Sequence, residues 1–254
     1  MSAPTTQSMT LAVVHPSVDS VASGAADLIE EHLGAGCLQT LGVATGSSAS
    51  PVYRELARRR LSLADVTLFA LDEYLGLPFG HPQSYRAVLE REVAEPLGIP
   101  FERVNVPDGR DPESYERLIA HCGGVDLQLL GIGRNGHIGF NEPGSPFDSS
   151  TRIVDLDEST REANARFFRT SDEVPRQSVT QGIATILRAR RLLVVACGAE
   201  KAPVVAAALN GPRAEEMPAS VLRDHPDVTW LIDHAAASLL PGFRPSTRRP
   251  AEAA

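Results

Sequence analysis

Residues 38–56 read LQTLGVATGSSASPVYREL, and three kinds of segment follow one another there. Leu38 to Val43 is a short, mostly apolar run. Thr45-Gly46-Ser47-Ser48 supplies the small and polar residues of a turn. Ser50 followed by Pro51 then predicts a helix start, with serine as N-cap and proline in the first turn. Strand, loop and helix in that order make one unit of a parallel sheet.

The same unit recurs on both sides of this stretch. Upstream, the run Leu11 to Val14 precedes Val18, Val21, Ala22, Ala25, Leu28, Ile29 and His32, which share one face of a 3.6-residue repeat. Downstream, apolar runs occupy Val66 to Leu71, Val125 to Leu130, Leu192 to Cys197 and Val228 to Ile232. Helices are expected at Tyr85 to Ala94, Pro112 to His121, Val179 to Ala189 and Lys201 to Leu209. Runs rich in Val, Leu and Ile without polar alternation read as strands buried on both faces. Alternating with helices, they predict an α/β fold: a doubly wound, mostly parallel sheet with helices on both faces and right-handed crossovers. With no internal repeat or long linker, residues 1–243 are expected to form a single domain. The polar, proline-bearing end RPSTRRPAEAA (244–254) is expected to be disordered.

Composition narrows the function. Hydrophobic residues at 43% and charged residues at 22% are ordinary for a globular protein in water. No apolar run approaches the ~18 residues of a membrane span, so no membrane association is expected. The opening MSAPTTQSMT lacks the positive charge and apolar core of a signal peptide, which points to the cytoplasm. Cys37, Cys122 and Cys197 lie far apart and read as buried small residues in a reducing compartment. Arg58-Arg59-Arg60 reads as a helix C-terminus, and Arg188 to Arg191 as a solvated turn. A net charge of −8 argues against a nucleic-acid partner, and obliges any site for an anionic substrate to gather its own cations.

Four unusual segments each follow a predicted strand: residues 44–48 (ATGSS), 72–74 (DEY), 131–137 (GIGRNGH) and 198–201 (GAEK). Ligands of open parallel sheets bind beyond the carboxyl ends of the strands, so these segments are expected to converge. Thr45, Gly46, Ser47 and Ser48 precede a helix and suit a phosphate, or else form an ordinary capped turn. Gly131, Gly133 and Gly136 match a dinucleotide fingerprint in spacing, but His-Ile-Gly-Phe-Asn-Glu-Pro-Gly follows instead of a helix, so no nicotinamide cofactor is expected. In the same loop, His137 has Asn135 and Glu142 as neighbours able to fix its tautomer, which suits proton transfer. Asp72 ends an apolar strand, where a carboxylate is costly unless it is used there or caps a following turn. No metal-ligand spacing occurs, and no metal is expected.

At these residues the chain resembles the glucosamine-6-phosphate deaminase/isomerase family, which has a Rossmann-like fold. The resembling segments are LGVATGSSASPVYREL (41–56), LDEYLGLPFGHPQSYR (71–86), GIGRNGHIGFNEPGSPF (131–147) and STREANARFF (159–168), with weaker likeness through VTQGIATIL (179–187) and GAEKA (198–202). The resemblance implies an enzyme of amino-sugar catabolism without cofactor. It would isomerise and deaminate glucosamine 6-phosphate, or another amino-sugar phosphate such as the galactosamine epimer. It further implies that Asp72 shuttles a proton between C1 and C2, that His137 opens the ring, and that Glu142 supports His137. Thr45, Gly46, Ser47, Ser48, Arg166 and Lys201 are implied to hold the phosphate. Many members of the family have aspartate at the position of Asn135; asparagine can accept a hydrogen bond from His137 without adding charge, so ring opening is expected to be tuned differently. Arg152 keeps one position of the basic cluster found in allosteric members, but Val154 stands where they have lysine, so weak or absent activation by N-acetylglucosamine 6-phosphate is expected. A lactonase on the same scaffold would not need the LDEY block, and a non-catalytic sensor would not need the acid–base set. The sequence leaves the oligomeric state open, a homo-oligomer included.

Overall fold

The computed structural model describes residues 9–244, so the tail expected to be disordered lies outside the described residues but for Arg244. β1 (Met9–His15) leads into α1 (Val18–Gly34), capped by the Ser17 hydroxyl, which accepts the Ser20 N–H at 3.2 Å. β2 (Thr40–Val43), α2 (Ser50–Arg58) and β3 (Thr67–Ala70) follow. Next come β4 (Asp72–Tyr74) and α3 (Tyr85–Leu89), which runs on through a π-helical turn (Glu90–Ala94) into α4 (Glu95–Leu97). β5 (Val104–Asn105), α5 (Pro112–His121), β6 (Leu127–Leu130), β7 (Arg152–Asp155) and α6 (Glu158–Asn164) complete the middle of the chain. The rest is β8 (Gln177–Thr180), α7 (Ile183–Leu187), β9 (Arg191–Ala196), α8 (Ala202–Asn210) and β10 (Asp227–Asp233).

Seven strands form one parallel sheet in the order β1-β10-β9-β6-β2-β3-β5. From β2 the chain builds outward through β3 to β5, then returns to the other side of β2 with β6 and builds through β9. Where neighbouring strands diverge in this way, the loops at their carboxyl ends part and leave a crevice. Helices flank the sheet, and the core between them is aliphatic. Leu41, Leu68, Phe69, Leu129, Val195 and Trp230 are buried on the strands, and Val21, Ala25 and Ile29 bury one face of α1. Each buried side chain of this size contributes about 1.5–3 kcal/mol. No helix among the described residues is long and apolar enough to cross a membrane.

A second, antiparallel sheet of three strands, β4-β8-β7, pairs Asp72 with Thr180 and Arg152 with the same residue from the other side. It was not foreseen, and it corrects one helix. Val179 and Thr180 pair in β8, so the helix expected from Val179 begins only at Ile183. The α2 helix also starts a residue early. Ala49 is its N-cap, while Ser50 sits in the first turn and donates its hydroxyl to Gly46 O (3.1 Å) and to Glu92 (3.0 Å). The cysteines are not buried: Cys37 and Cys122 are exposed in the turns after α1 and α5, and Cys197 is half-buried. Arg188 and Arg190 lie in a solvated turn as expected, with Arg191 opening β9, and the three reach Glu116, Asp126 and Asp227.

Candidate active site

A cavity of about 1020 Å³ opens at the switch point, at the carboxyl ends of β2, β3 and β6. Of the ten residues singled out in the sequence, Thr45, Gly46, Ser47, Ser48, Asp72, Asn135, His137, Arg166 and Lys201 line it. Glu142 does not; it lies behind His137.

Asp72 sits where the chain leaves one sheet for the other. Leu71 still donates to Val43 O at 3.0 Å along the large sheet, and the next residue already pairs with Thr180. The Asp72 side chain is buried, and among the described residues no group donates a hydrogen bond to it. Burial, with the neighbouring Glu73 charge, pushes its carboxyl up to about 8. Glu73 is engaged differently: it accepts the N–H groups of Tyr74, Tyr85 and Arg86 at 2.8–2.9 Å and so anchors the start of α3. The loop across the cleft comes close, because a Cβ built on Gly139 would lie 3.4 Å from Asp72 Oδ2.

That loop follows β6 and contains no helix, in line with its glycines and proline. His137 Nδ1 stands 3.3 Å from Glu142 Oε2, within ion-pair range but not aligned as a hydrogen bond. Asn135 Nδ2 donates to the same oxygen at 2.6 Å, and Thr160 Oγ1 donates to the other at 2.5 Å. Asn135 Oδ1 accepts from the His137 backbone N–H at 3.2 Å, not from the imidazole as its sequence position suggested. Burial alone would push the Glu142 carboxyl up, but His137, Thr160 and Asn135 outweigh it and hold it below the usual carboxylate range. A fixed negative charge therefore backs the imidazole.

The turn at Gly46 (φ +97°) brings Ser47 and Ser48 to the wall of the same cleft. Lys201 donates to Ile132 O at 2.7 Å. Burial lowers its affinity for a proton, Glu200 partly restores it, and Arg134 and Arg166 lower it further. The local cluster of cations demanded by an acidic chain is thus present. Arg166 lies over the Phe167 ring, 4.7 Å from its centroid.

Several site residues went unread in the sequence. Arg134 lines the cleft within the glycine loop. Thr160, in the STREANARFF segment, braces Glu142. Tyr74, Tyr85, Phe140 and Phe168 form an aromatic wall with centroid separations of 4.7–6.0 Å, and Asn164 donates to the Tyr74 hydroxyl at 2.9 Å. Pairing of β4 with the distant β8 seats Tyr74 in that wall.

An open parallel sheet with a buried carboxyl, a carboxylate-backed histidine and a cationic corner at its switch point is an α/β fold carrying the groups that acid–base chemistry needs. The chain belongs to the family described as glucosamine-6-phosphate isomerases/6-phosphogluconolactonase, whose model matches residues 12–230. A glucosamine-6-phosphate deaminase of Pseudarthrobacter chlorophenolicus is 51% identical over 225 residues, which are 85% of this chain and 87% of that one. One from Rhodopirellula baltica is 46% identical over 235 residues, 89% of this chain and 94% of that one. A solved structure described as a monomeric glucosamine-6-phosphate deaminase superposes with a TM-score of 0.86 at 40% identity, covering 90% of this chain and 99% of that one. A 6-phosphogluconolactonase of Leishmania guyanensis, at 20% identity and a TM-score of 0.70 over 90% of this chain and 97% of that one, shares the fold.

Proposed function

We propose that this protein is a glucosamine-6-phosphate deaminase, converting glucosamine 6-phosphate and water to fructose 6-phosphate and ammonia. The observation that carries the reading is that Asp72 and His137 line one cleft together with Lys201 and Arg166. The cations and the Thr45–Ser48 loop hold the 6-phosphate, which sets C1 and C2 of the sugar between the two acid–base groups. His137 takes the proton of the C1 hydroxyl and returns one to the ring oxygen, opening the pyranose. The fixed charge of Glu142 stabilises the imidazolium formed in between.

Asp72 then removes the C2 proton, made acidic by the C1 carbonyl, and delivers it to C1. A carboxylate lifted to about 8 is a stronger base than a surface carboxylate, and the substrate's C2 ammonium favours its ionised form. An ammonium proton passes to the C1 oxygen as the double bond moves to C2 and nitrogen; water then adds to that iminium carbon, and ammonia leaves. Each proton-transfer group contributes about 10²–10⁴ in rate. Because a phosphorylated amino sugar is charged and does not cross membranes unaided, we place the enzyme in the cytoplasm. In the same reading the chain through residue 243 is one catalytic domain.

The test is ammonia release and fructose 6-phosphate formation from purified protein, with the galactosamine epimer as a second substrate and Asp72→Asn as control. Turnover of the glucosamine compound that collapses in the variant supports the assignment. Binding without turnover overturns it.

A further inference from the structure

The cationic corner holds one side chain more than the phosphate assignment uses. Lys201 Nζ is fastened to the carbonyl of Ile132, two residues before Arg134, so the loop that carries Arg134 is pinned to the lysine. Arg134 lines the same cleft as Lys201, Arg166 and Glu200, and it is exposed. Among the described residues neither Arg134 nor Arg166 is paired with a carboxylate. Arg58, Arg117 and Arg213 hold carboxylates at the surface, whereas Arg134 and Arg166 face the cleft without one.

The charges then balance in a particular way. Lys201 and Arg166 alone would match a phosphate dianion, but Glu200 also lines this end of the cleft and subtracts one charge. Adding Arg134 restores the match: three cations and one carboxylate face a group of charge close to −2. A guanidinium also offers paired N–H donors that fit two phosphate oxygens, which the single ammonium of Lys201 does not.

We propose that Arg134 is a third cation of the phosphate subsite, offsetting Glu200 so that the corner is neutralised by a phosphate dianion. The inference rests on the reading of the cleft as a sugar-phosphate site. It concerns binding of the phosphate, which the acid–base groups do not touch.

The experiment measures KM and kcat for glucosamine 6-phosphate, together with binding of inorganic phosphate by calorimetry, in wild type, Arg134→Ala, Arg134→Lys and Glu200→Gln. In Arg134→Ala, KM and the phosphate Kd are expected to rise together by about 10-fold, with kcat changed less than about 2-fold. Arg134→Lys should recover part of the loss, and Glu200→Gln should tighten both ligands. The dependence of phosphate binding on ionic strength should also be shallower in Arg134→Ala. Unchanged KM and phosphate Kd in Arg134→Ala, with an unaltered Tm showing that it folds, would overturn the proposal. So would a fall in kcat at constant KM. If wild type binds phosphate through Arg134 but does not release ammonia, this inference stands and the deaminase reading falls.

Discussion

The imidazole of His137 lies over the α-carbon of Gly133, so closely that a Cβ at 133 would fall 2.3–2.4 Å from three atoms of the ring. Real Cβ contacts are never that short. Gly133 N–H also donates to His137 O at 2.9 Å, so the two residues hold each other from backbone and ring at once. The glycine that matches a dinucleotide fingerprint in spacing is the seat of the His137 ring. Gly133→Ala is therefore expected to keep its fold and displace the ring, because only a loop at the mouth of the cleft must give. The loss should lie in kcat, by about 10²-fold, the scale of a misplaced acid–base group. Steady-state kinetics beside a thermal melt check it; an unchanged kcat would mean that the ring has room to move without cost.

Asn135 earns a separate test because its amide donates to Glu142 at 2.6 Å. In Asn135→Asp the donor becomes a carboxylate oxygen at the same place, and two like charges at that distance do not both ionise. The pair would share a proton, with one apparent pKa raised well above the ordinary carboxylate range. At neutral pH the pair still carries one negative charge, so turnover should survive there. One charge is the pair's first ionisation, which is not raised, so the acid limb of the kcat profile should not move to higher pH. The raised second ionisation should appear as a new inflection on its alkaline side. A profile that superposes on wild type would show that the 135 side chain rotates away and that Glu142 needs no donor from it.

Much of this architecture is legible in the sequence, and the boundary between what is and is not has a physical cause. Five of the six apolar runs declare themselves because burial on both faces leaves nearly unbroken apolar stretches, Leu11 to Val14 being on an edge strand. Pro112–His121 shows itself by its first-turn proline and the helical spacing of Tyr115 and Ile119. Asp72 and His137 stand out because polar groups at strand ends contradict that pattern. The small sheet does not: DEY, RIVD and QSVT are short and polar, and Asp72 pairs with Thr180 across more than 100 residues of chain. Val179, Ile183 and Ile186 have helical spacing, yet the open edge beside β4 claims Val179 for a strand. Arg134 does not stand out because the pinning of its loop by Lys201 on Ile132 O is a contact no local pattern announces.

Glu73 illustrates the cost of undoing one such distant arrangement. Its carboxylate takes three backbone N–H groups, from Tyr74 at one end of the loop and from Tyr85 and Arg86 at the other. Two of these are orphan donors of the first turn of α3, which Ser84 caps through Ala87 N. Glu73→Ala leaves the donors without acceptors in a half-buried place and is expected to cost about 1–3 kcal/mol. Urea unfolding measures that directly. KM should rise with it, because Gln83 on the freed loop lines the cleft. A variant as stable as wild type would show that water replaces the carboxylate at no cost.

Asp72→Asn separates chemistry from stability most sharply, because the two should move in opposite directions. Folding raises the carboxyl from its ordinary value near 3.8 to about 8, chiefly by burial. Between those values the native state binds more protons than the unfolded chain, so wild-type stability falls as pH rises through the window. Asparagine is neutral at every pH and does not share that fall. The variant should match wild type below about pH 4, gain on it from there to about pH 8, and hold a constant advantage above. Each kcal/mol gained raises Tm by about 2–4 °C in a chain of this size. Deamination should meanwhile fall by about 10²–10⁴, since an amide cannot take the C2 proton. In wild type the same group predicts that kcat/KM climbs with pH on a limb well above the ordinary carboxylate range, reporting ionisation of Asp72 in the free enzyme. Thermal melts of both proteins from pH 4 to 9, run beside the rate profile, decide the matter. If the variant loses activity without gaining stability at high pH, Asp72 is not the strained base that its burial makes it.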